Sequence, residues 1–214
     1  MIAKLISKLR RSFATHPAPA SPSSTKQGLL LSGDIVLHDN FLPDDQFIGL
    51  QHWAFDVATP LTREQRSWKE LIKRDFKDNM SSRQWASNHD DMPAEPAAFI
   101  AALREAKIVE PDDIIHLAVY RWQQLSGMGL HTDGFTDTAI TFYMNDTWSK
   151  DWGGDFIYYD SADNVAKGMG HAVMPARNRM VVNRSTVHHK VNYCSNTAQD
   201  RVSVQAFVFK PGAT

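Results

Sequence analysis

A histidine and an aspartate stand two residues apart in GLHTDGF, residues 129–135. Side chains at positions i and i+2 of an extended strand lie on the same face, so His131 and Asp133 can both point at one atom. Imidazole suits late first-row divalent metals, and an added carboxylate favours Fe(II) or Mn(II). Two protein ligands make a poor metal site, so this pair predicts a third ligand elsewhere in the chain.

Candidates for the third ligand lie near the end of the chain, in the segment RSTVHHKVNY and at the start of a late strand. His188 and His189 are adjacent, so in a strand they point to opposite faces and at most one of them can join the pair. His171 is a rival because it also begins a late strand. The residues themselves leave this choice open.

A charged residue begins the last strand-like segment, RVSVQAFVF. Alternation places Arg201, Ser203 and Gln205 on one face and apolar side chains on the other. A buried guanidinium needs an anion to pair with. The alternative is an edge strand on which the arginine is exposed to solvent.

The elements that position these residues change in type along the chain. GDIVLHDNF alternates as a strand does, and helical spacing follows in LPDDQFIGLQHWAF, in residues 62–75 and in residues 95–107. Residues 76–95 are polar and rich in turn formers, which predicts an irregular, functional or mobile loop. After residue 112, seven or eight short β-branched or aromatic segments alternate with turn residues. This order predicts an α+β fold, mainly β with flanking helices, whose strands form a sandwich or barrel.

The beginning of the chain differs from the rest in charge. Residues 1–33 contain five Lys or Arg and no acidic residue, which leaves 18 basic and 24 acidic residues in the remainder. Apolar residues at helical spacing over residues 2–13 predict a basic amphipathic helix, and the following PAPASPSST predicts a linker. We therefore expect a helix and linker over residues 1–32 and one domain over residues 33–214. The helix is expected to dock on the domain or fray; peripheral membrane contact is the alternative.

Overall composition excludes several classes of protein. The formal net charge is −1, which gives no reason to expect a nucleic-acid partner. No apolar run approaches the roughly 20 residues that span a bilayer. One cysteine, Cys194, excludes an intramolecular disulfide framework. We expect a cytoplasmic protein, with organelle targeting by the basic segment as the alternative.

Four segments in order resemble the Fe(II)/2-oxoglutarate-dependent dioxygenases, and most closely their prolyl 4-hydroxylase-like branch. The resemblance covers roughly residues 33–210. Its matching segments are IVLHDNFLPDDQFIGL, YRWQQLSGMGLHTD, TFYMNDTWSKDWGGDFIYYD, and HKV followed by RVSVQAFVF.

The resemblance implies a double-stranded β-helix, or jelly roll, with Fe(II) bound by His131, Asp133 and His189. It implies that Arg201 pairs with the distal carboxylate of 2-oxoglutarate, with Ser203 hydrogen-bonding beside it and Tyr143 in contact with it. Fe(II), 2-oxoglutarate and O2 are the implied cofactors and co-substrates, with ascorbate as an accessory reductant.

The resulting prediction is a hydroxylase that acts on a small metabolite or amino-acid-like substrate and releases succinate and CO2. The alternatives are a hydroxylase of peptidyl-proline or another protein side chain, and a non-catalytic metal-binding jelly-roll module. Residues 76–95 are the predicted substrate-binding segment, through Arg83, Trp85 and His89. Trp122 is a further candidate for substrate contact.

Overall fold

Residues 28–58, 71–72, 80–86 and 92–212 are described by the computed structural model, which forms three helices and twelve strands in these ranges. The helices are α1 (Asp44–Ala58), α2 (Ala94–Glu105) and α3 (Ala162–Lys167). The strands are β1 (Leu29–Ser32), β2 (Ile35–Asp39), β3 (Leu71–Ile72), β4 (Met80–Ala86), β5 (Ile114–Trp122), β6 (Gly127–His131), β7 (Thr138–Tyr143), β8 (Phe156–Tyr159), β9 (His171–Val173), β10 (Arg179–Arg184), β11 (His188–Val191) and β12 (Arg201–Phe209).

The strands form two antiparallel sheets. A seven-stranded major sheet has the order β1-β2-β10-β7-β12-β5-β4, and a five-stranded minor sheet has the order β3-β6-β11-β8-β9. From β5 to β8, successive strands alternate between the two sheets, and β10, β11 and β12 do so again. This is the jelly-roll arrangement that the family resemblance implied, and it confirms the predicted fold class, mainly β with flanking helices.

Helices α1 and α2 cover one face of the major sheet. Their buried side chains, including Phe47, Leu50, Phe99 and Leu103, share a core with alternate residues of β5, β7 and β12. The ring of Phe142 stacks on Phe99 at 5.1 Å between centroids. Because the helices cover this apolar face, the opposite face of the same strands points toward the minor sheet.

Strand β12 shows how alternation assigns side chains to the two faces. Val202, Val204, Ala206 and Val208 belong to the helix-facing core. The intervening residues, from Arg201 to Phe209, point toward the space between the sheets, where Gln205, Phe207 and Phe209 line a cavity. Both faces are covered, so Arg201 is buried, and the predicted alternative of an exposed edge is wrong.

Two sequence predictions about the region before α2 are corrected by the strands found there. Leu71–Ile72 pair with β6, so they are not helical as predicted for residues 62–75; the rest of that range lies outside the described residues. Met80–Ala86 form strand β4, which pairs with β5 along its whole length, so this part of 76–95 is not an irregular loop. The segment is polar, so its composition resembles that of a loop. It forms a strand because pairing with the edge of β5 supplies its backbone hydrogen bonds.

The sheet begins earlier than the predicted domain boundary at residue 33. Leu29–Ser32 pair with β2 and so extend the major sheet. The predicted amphipathic helix over residues 2–13, its membrane contact and the PAPASPSST linker lie outside the described residues. In the part of the chain that is described, no helix is both long and apolar enough to cross a membrane.

Candidate active site

Two histidines and an aspartate meet at one end of the space between the sheets. His131 ends β6, His189 lies in β11 directly opposite it in the strand pairing, and Asp133 follows two residues after β6. One potential ligand atom from each residue lies within 4.8 Å of the other two. Strand pairing therefore brings together the 2-His-1-carboxylate set that favours Fe(II).

The carboxylate reaches this point from a turn and not from the strand. The carbonyl of Asp133 accepts hydrogen bonds from the backbone N–H of Thr136, at 2.9 Å, and from its hydroxyl, at 3.1 Å. The Asp133 carboxylate then lies 3.8 Å from Nε2 of His131 and 3.4 Å from Nε2 of His189. Strand spacing predicts one extended strand through both residues, but β6 ends at His131 and Asp133 lies beyond it.

Backbone carbonyls set the tautomer of both histidines. Nδ1 of His131 lies 2.8 Å from the carbonyl of Gly129, and Nδ1 of His189 lies 2.9 Å from that of Val187. A carbonyl oxygen only accepts, so each Nδ1 donates its proton, and each Nε2 presents a lone pair to the site. Both rings are thus prepared to bind a metal.

Burial keeps His189 in the neutral form that binds metals. It lowers the pKa of His189, and the neighbouring His131 acts in the same direction, while the Asp133 carboxylate opposes the shift. A neutral imidazole is the state in which Nε2 offers a lone pair.

The other two candidate histidines lie elsewhere. His188 is exposed and opposite Tyr159 in the strand pairing, as expected for the neighbour of an inward-pointing residue. His171 is half exposed, with Nε2 3.4 Å from Asp160. His189, which the family resemblance selected, is the histidine that joins the pair.

Arg201 lies buried beside two aromatic residues. Its guanidinium carbon is 5.2 Å from the ring of Trp122 and 5.5 Å from that of Tyr143. One terminal nitrogen donates to the carbonyl of Gly154, and no carboxylate among the described residues pairs with it. A buried cation of this kind requires an anionic partner.

Donor groups around Arg201 fit a bound carboxylate. Nε of Arg201, the hydroxyl of Tyr143 and the indole N–H of Trp122 are buried and have no hydrogen-bond partner within the described part of the chain. Burial raises the pKa of Tyr143 to about 12, with Arg201 opposing the rise, so the phenol keeps its proton. Ser203, fully buried on the same strand face, accepts a hydrogen bond from Gln205 at 3.3 Å. Unused donors around a buried cation fit an anionic ligand such as a carboxylate.

A cavity of about 510 Å³ lies between the sheets and includes the three metal-ligand candidates. Its size is within the range of small-molecule sites, roughly 300–1,000 Å³. Its wall comes from β5, β7, β10 and β12 of the major sheet and from β6, β8 and β11 of the minor sheet. Trp122, predicted for substrate contact, lines this cavity and also lies beside Arg201, which links the two ends of the site.

Two residues without an assigned role in the sequence argument hold Arg201 in place. The side chain of Asn145 donates to the carbonyl of Asp200 and accepts from the N–H of Val202, each at 2.9 Å, so it holds the backbone on both sides of Arg201. Gly154 has a φ of +70°, and a Cβ there would lie 3.3 Å from Cδ of Arg201. A buried asparagine at the end of an apolar strand and a Gly-Gly pair were the signals available in the sequence.

The predicted substrate residues before α2 stay predictions. In the pairing of β4 with β5, Arg83 is opposite Val119 and Trp85 is opposite Leu117, whereas Ser82 is opposite the cavity residue Tyr120. His89 lies outside the described residues.

Comparisons with known proteins agree with this site. Residues 115–209 match the 2OG-Fe(II) oxygenase superfamily, a range that contains all three ligand candidates and Arg201. No curated protein matches the chain significantly in sequence.

Solved structures share the fold at low sequence identity. A Pseudomonas putida prolyl-4-hydroxylase is 18% identical over 83% of this chain and 92% of its own, with a TM-score of 0.61. A Trichoplax adhaerens prolyl hydroxylase, solved with a peptide fragment of hypoxia inducible factor, is 13% identical over 84% and 85%, with a TM-score of 0.64. The epimerase SnoN of nogalamycin biosynthesis is 15% identical over 83% and 78%, with a TM-score of 0.59. One fold thus serves more than one reaction.

Residues 115–209, which contain the His131, Asp133 and His189 triad, match the 2OG-Fe(II) oxygenase superfamily in sequence and have its two-sheet fold, so this part of the chain is a 2OG-Fe(II) oxygenase domain.

Proposed function

We propose that this oxygenase hydroxylates a C–H bond of a small-molecule substrate. The observation that carries the proposal is a cavity that contains a metal-ligand triad and extends to Trp122, whose ring lies beside the buried, uncompensated Arg201. His131, Asp133 and His189 would hold Fe(II), and Arg201, Tyr143 and Ser203 would hold the distal carboxylate of 2-oxoglutarate. When bound, these groups supply the oxidation: one atom of O2 converts C–H to C–OH, the other enters succinate, and CO2 is released.

The protein's own contribution is positioning and exclusion of water. The carbonyls of Gly129 and Val187 keep the Nδ1 protons on the two histidines, which leaves both Nε2 atoms available. Arg201 and Tyr143 are almost completely buried. An anion bound to them would lose its hydrogen bonds to water and gain hydrogen bonds from donors that the protein holds in place. The side chains that line the rest of the cavity would orient the substrate near the triad.

Substrate size is the finer part of the proposal. The sequence predicts a small metabolite or an amino-acid-like molecule, and the cavity volume of about 510 Å³ favours a compound of that size. A peptide is the second candidate, since the Trichoplax adhaerens structure holds a peptide fragment. A non-catalytic jelly roll is disfavoured because the triad and Arg201 are all in place.

A turnover assay tests the proposal. The full chain is supplied with Fe(II), 2-oxoglutarate, ascorbate and O2 together with metabolites or peptides, and succinate and hydroxylated product are followed by mass spectrometry. We expect succinate to depend on Fe(II) and to rise with a small-molecule substrate that gains one oxygen atom. A protein that forms no Fe(II)-dependent succinate, or that oxidises peptides alone, contradicts the proposal.

A further inference from the structure

An exposed group of aromatic rings lies at the mouth of the cavity. Phe135 is 66% exposed, and its ring centroid is 5.6 Å from Phe207 and 6.5 Å from Phe209. His116 lies 4.7 Å from Phe209. All four residues line the cavity, and we call them the aromatic cluster. A contiguous exposed apolar surface at a cavity mouth is typical of a binding surface.

The aromatic cluster lies away from the predicted 2-oxoglutarate end. Arg201 and Phe207 are on the same face of β12 and six residues apart, which is about 20 Å along an extended strand. Phe135, by contrast, follows Asp133 by only two residues. The cluster therefore lines the same cavity as the triad, away from Arg201, which leaves it available to a primary substrate.

The charges of the residues that line the cavity limit the kinds of substrate that it can bind. Among the described residues the wall contains no Lys, Arg or Glu, and its one carboxylate is Asp133 of the triad. The polar groups Thr141 and Gln205 are neutral and hydrogen-bonded to each other at 2.8 Å. A zwitterionic amino acid would lose hydration here without gaining an ion pair, which is costly.

We infer that the substrate of the proposed hydroxylation is an uncharged small molecule with an aromatic or other flat ring, which the aromatic cluster holds next to the triad. Ring stacking on Phe135, Phe207 and Phe209 supplies affinity without charge. The inference rests on the proposed function and departs from the amino-acid-like substrate that the sequence predicted.

Binding of simple ring compounds tests the inference. The full chain is loaded with 2-oxoglutarate and Zn(II), which is redox-inert, and affinities are measured by saturation-transfer NMR titration. Indole is compared with tryptophan, which has the same ring and two charges, and with hexanamide, which is neutral without a ring. We expect indole to bind at least tenfold more tightly than either.

Variants assign that binding to the cluster. Phe135→Ala should weaken indole binding at least fivefold, and Phe135→Tyr should restore it. Because Phe135 is exposed, its loss should leave the fold intact. Tyr193→Ala is the matched control, since Tyr193 is also an exposed aromatic residue, at 52%, but does not line the cavity. Its indole affinity should equal that of the parent.

Different results would contradict the inference about the substrate and the proposed function. Tryptophan binding as tightly as indole, or indole binding unchanged in Phe135→Ala, would overturn the inference, while Fe(II)-dependent 2-oxoglutarate consumption would keep the proposed function standing. Indole binding by a protein that never consumes 2-oxoglutarate with Fe(II) would overturn the function, and with it the role of the ring compound as a substrate.

Discussion

At the scale of single residues, the site depends on which atoms carry protons. The Nδ1 atoms of His131 and His189 donate to backbone carbonyls, and burial keeps His189 neutral. Tyr143 keeps its phenolic proton for the same reason, burial. Among the described residues, no carboxylate pairs with the buried guanidinium of Arg201. The residues thus separate into lone-pair donors for a metal and hydrogen-bond donors for an anion.

His189→Ala should abolish stoichiometric Fe(II) binding, because the site would keep only one histidine and one carboxylate. Changes to groups that merely orient a ligand already cost about 10–100-fold in metal affinity, so loss of a ligand should cost more than a hundredfold. Anaerobic Fe(II) titration measures this. His188→Ala is the control, and loss of metal in that variant with retention in His189→Ala would exclude the assigned triad.

Arg201→Ala should raise the KM for 2-oxoglutarate by more than a hundredfold. Breaking a buried charge pair from one side costs on the order of 3–5 kcal/mol. Fe(II) affinity should be unchanged, which shows that the barrel still folds. Arg184→Ala, at an exposed arginine paired with Asp137, should behave as the parent. Unchanged dependence on 2-oxoglutarate in Arg201→Ala would refute the assignment.

Tyr143 should make the parent protein sensitive to alkaline pH. Its pKa is about 12 in the folded protein and about 10 when exposed in the unfolded chain. Between these values the folded state holds one more proton, so stability is fully present below pH ~10 and falls as pH rises toward 12. The loss is on the order of 2–3 kcal/mol.

Urea unfolding at pH 9 and at pH 11.5 measures this effect. The parent should lose more unfolding free energy between the two values than Tyr143→Phe, which has no phenolic proton to hold. Equal losses in the two proteins would show that Tyr143 titrates normally.

At the scale of elements, the end of β7 positions the start of β12. Asn145 follows β7 and bonds to the backbone of Asp200 and Val202, on both sides of Arg201. The bonds lie where the pairing of β12 with β7 begins, and they hold the backbone on both sides of Arg201. Asn145 acts through Arg201 and is therefore a positioning residue.

Asn145→Ala should raise the KM for 2-oxoglutarate about tenfold with a smaller change in kcat, because Arg201 stays present but is less well held. Lost buried hydrogen bonds should also lower the unfolding free energy by about 1–3 kcal/mol. Gln124→Ala is the matched control: its side chain donates to the carbonyl of Ala198 in the same connection, away from Arg201. If both variants lose stability equally and neither changes KM, Asn145 is structural only.

At the scale of the whole molecule, the two faces of the major sheet have different roles. The major sheet packs α1 and α2 on one face and forms the cavity wall on the other. The cavity therefore depends on strands from both sheets, and the first strand among the described residues begins at Leu29.

Removal of residues 1–27 should leave Fe(II)-dependent activity and the melting temperature close to those of the full chain, since no site residue lies there. Any binding of the full chain to anionic vesicles, measured by co-sedimentation, should be lost, because this segment contributes five basic and no acidic residues. A truncated protein that fails to fold would show that residues 2–13 belong to the core.

Local patterns were enough to predict much of this protein. Runs of β-branched and aromatic residues between turn residues indicated β5 and β12 with their correct ends, and helical spacing indicated α1 and α2. Period-2 alternation within β12 correctly placed Arg201 and Ser203 on one face. These features depend on neighbours in sequence, which is why the sequence alone determined them. The family resemblance added the choice of His189 and the jelly roll.

Tertiary structure decided what depends on distant segments. Met80–Ala86 became a strand because β5 offers it a free edge, although its composition reads as a loop. Asp133 reaches the triad from a turn, and pairing of β6 with β11 sets His131 against His189. The aromatic cluster joins residues from the turn after β6 with β5 and β12. Such contacts follow from strand pairing across the molecule, which local spacing does not encode.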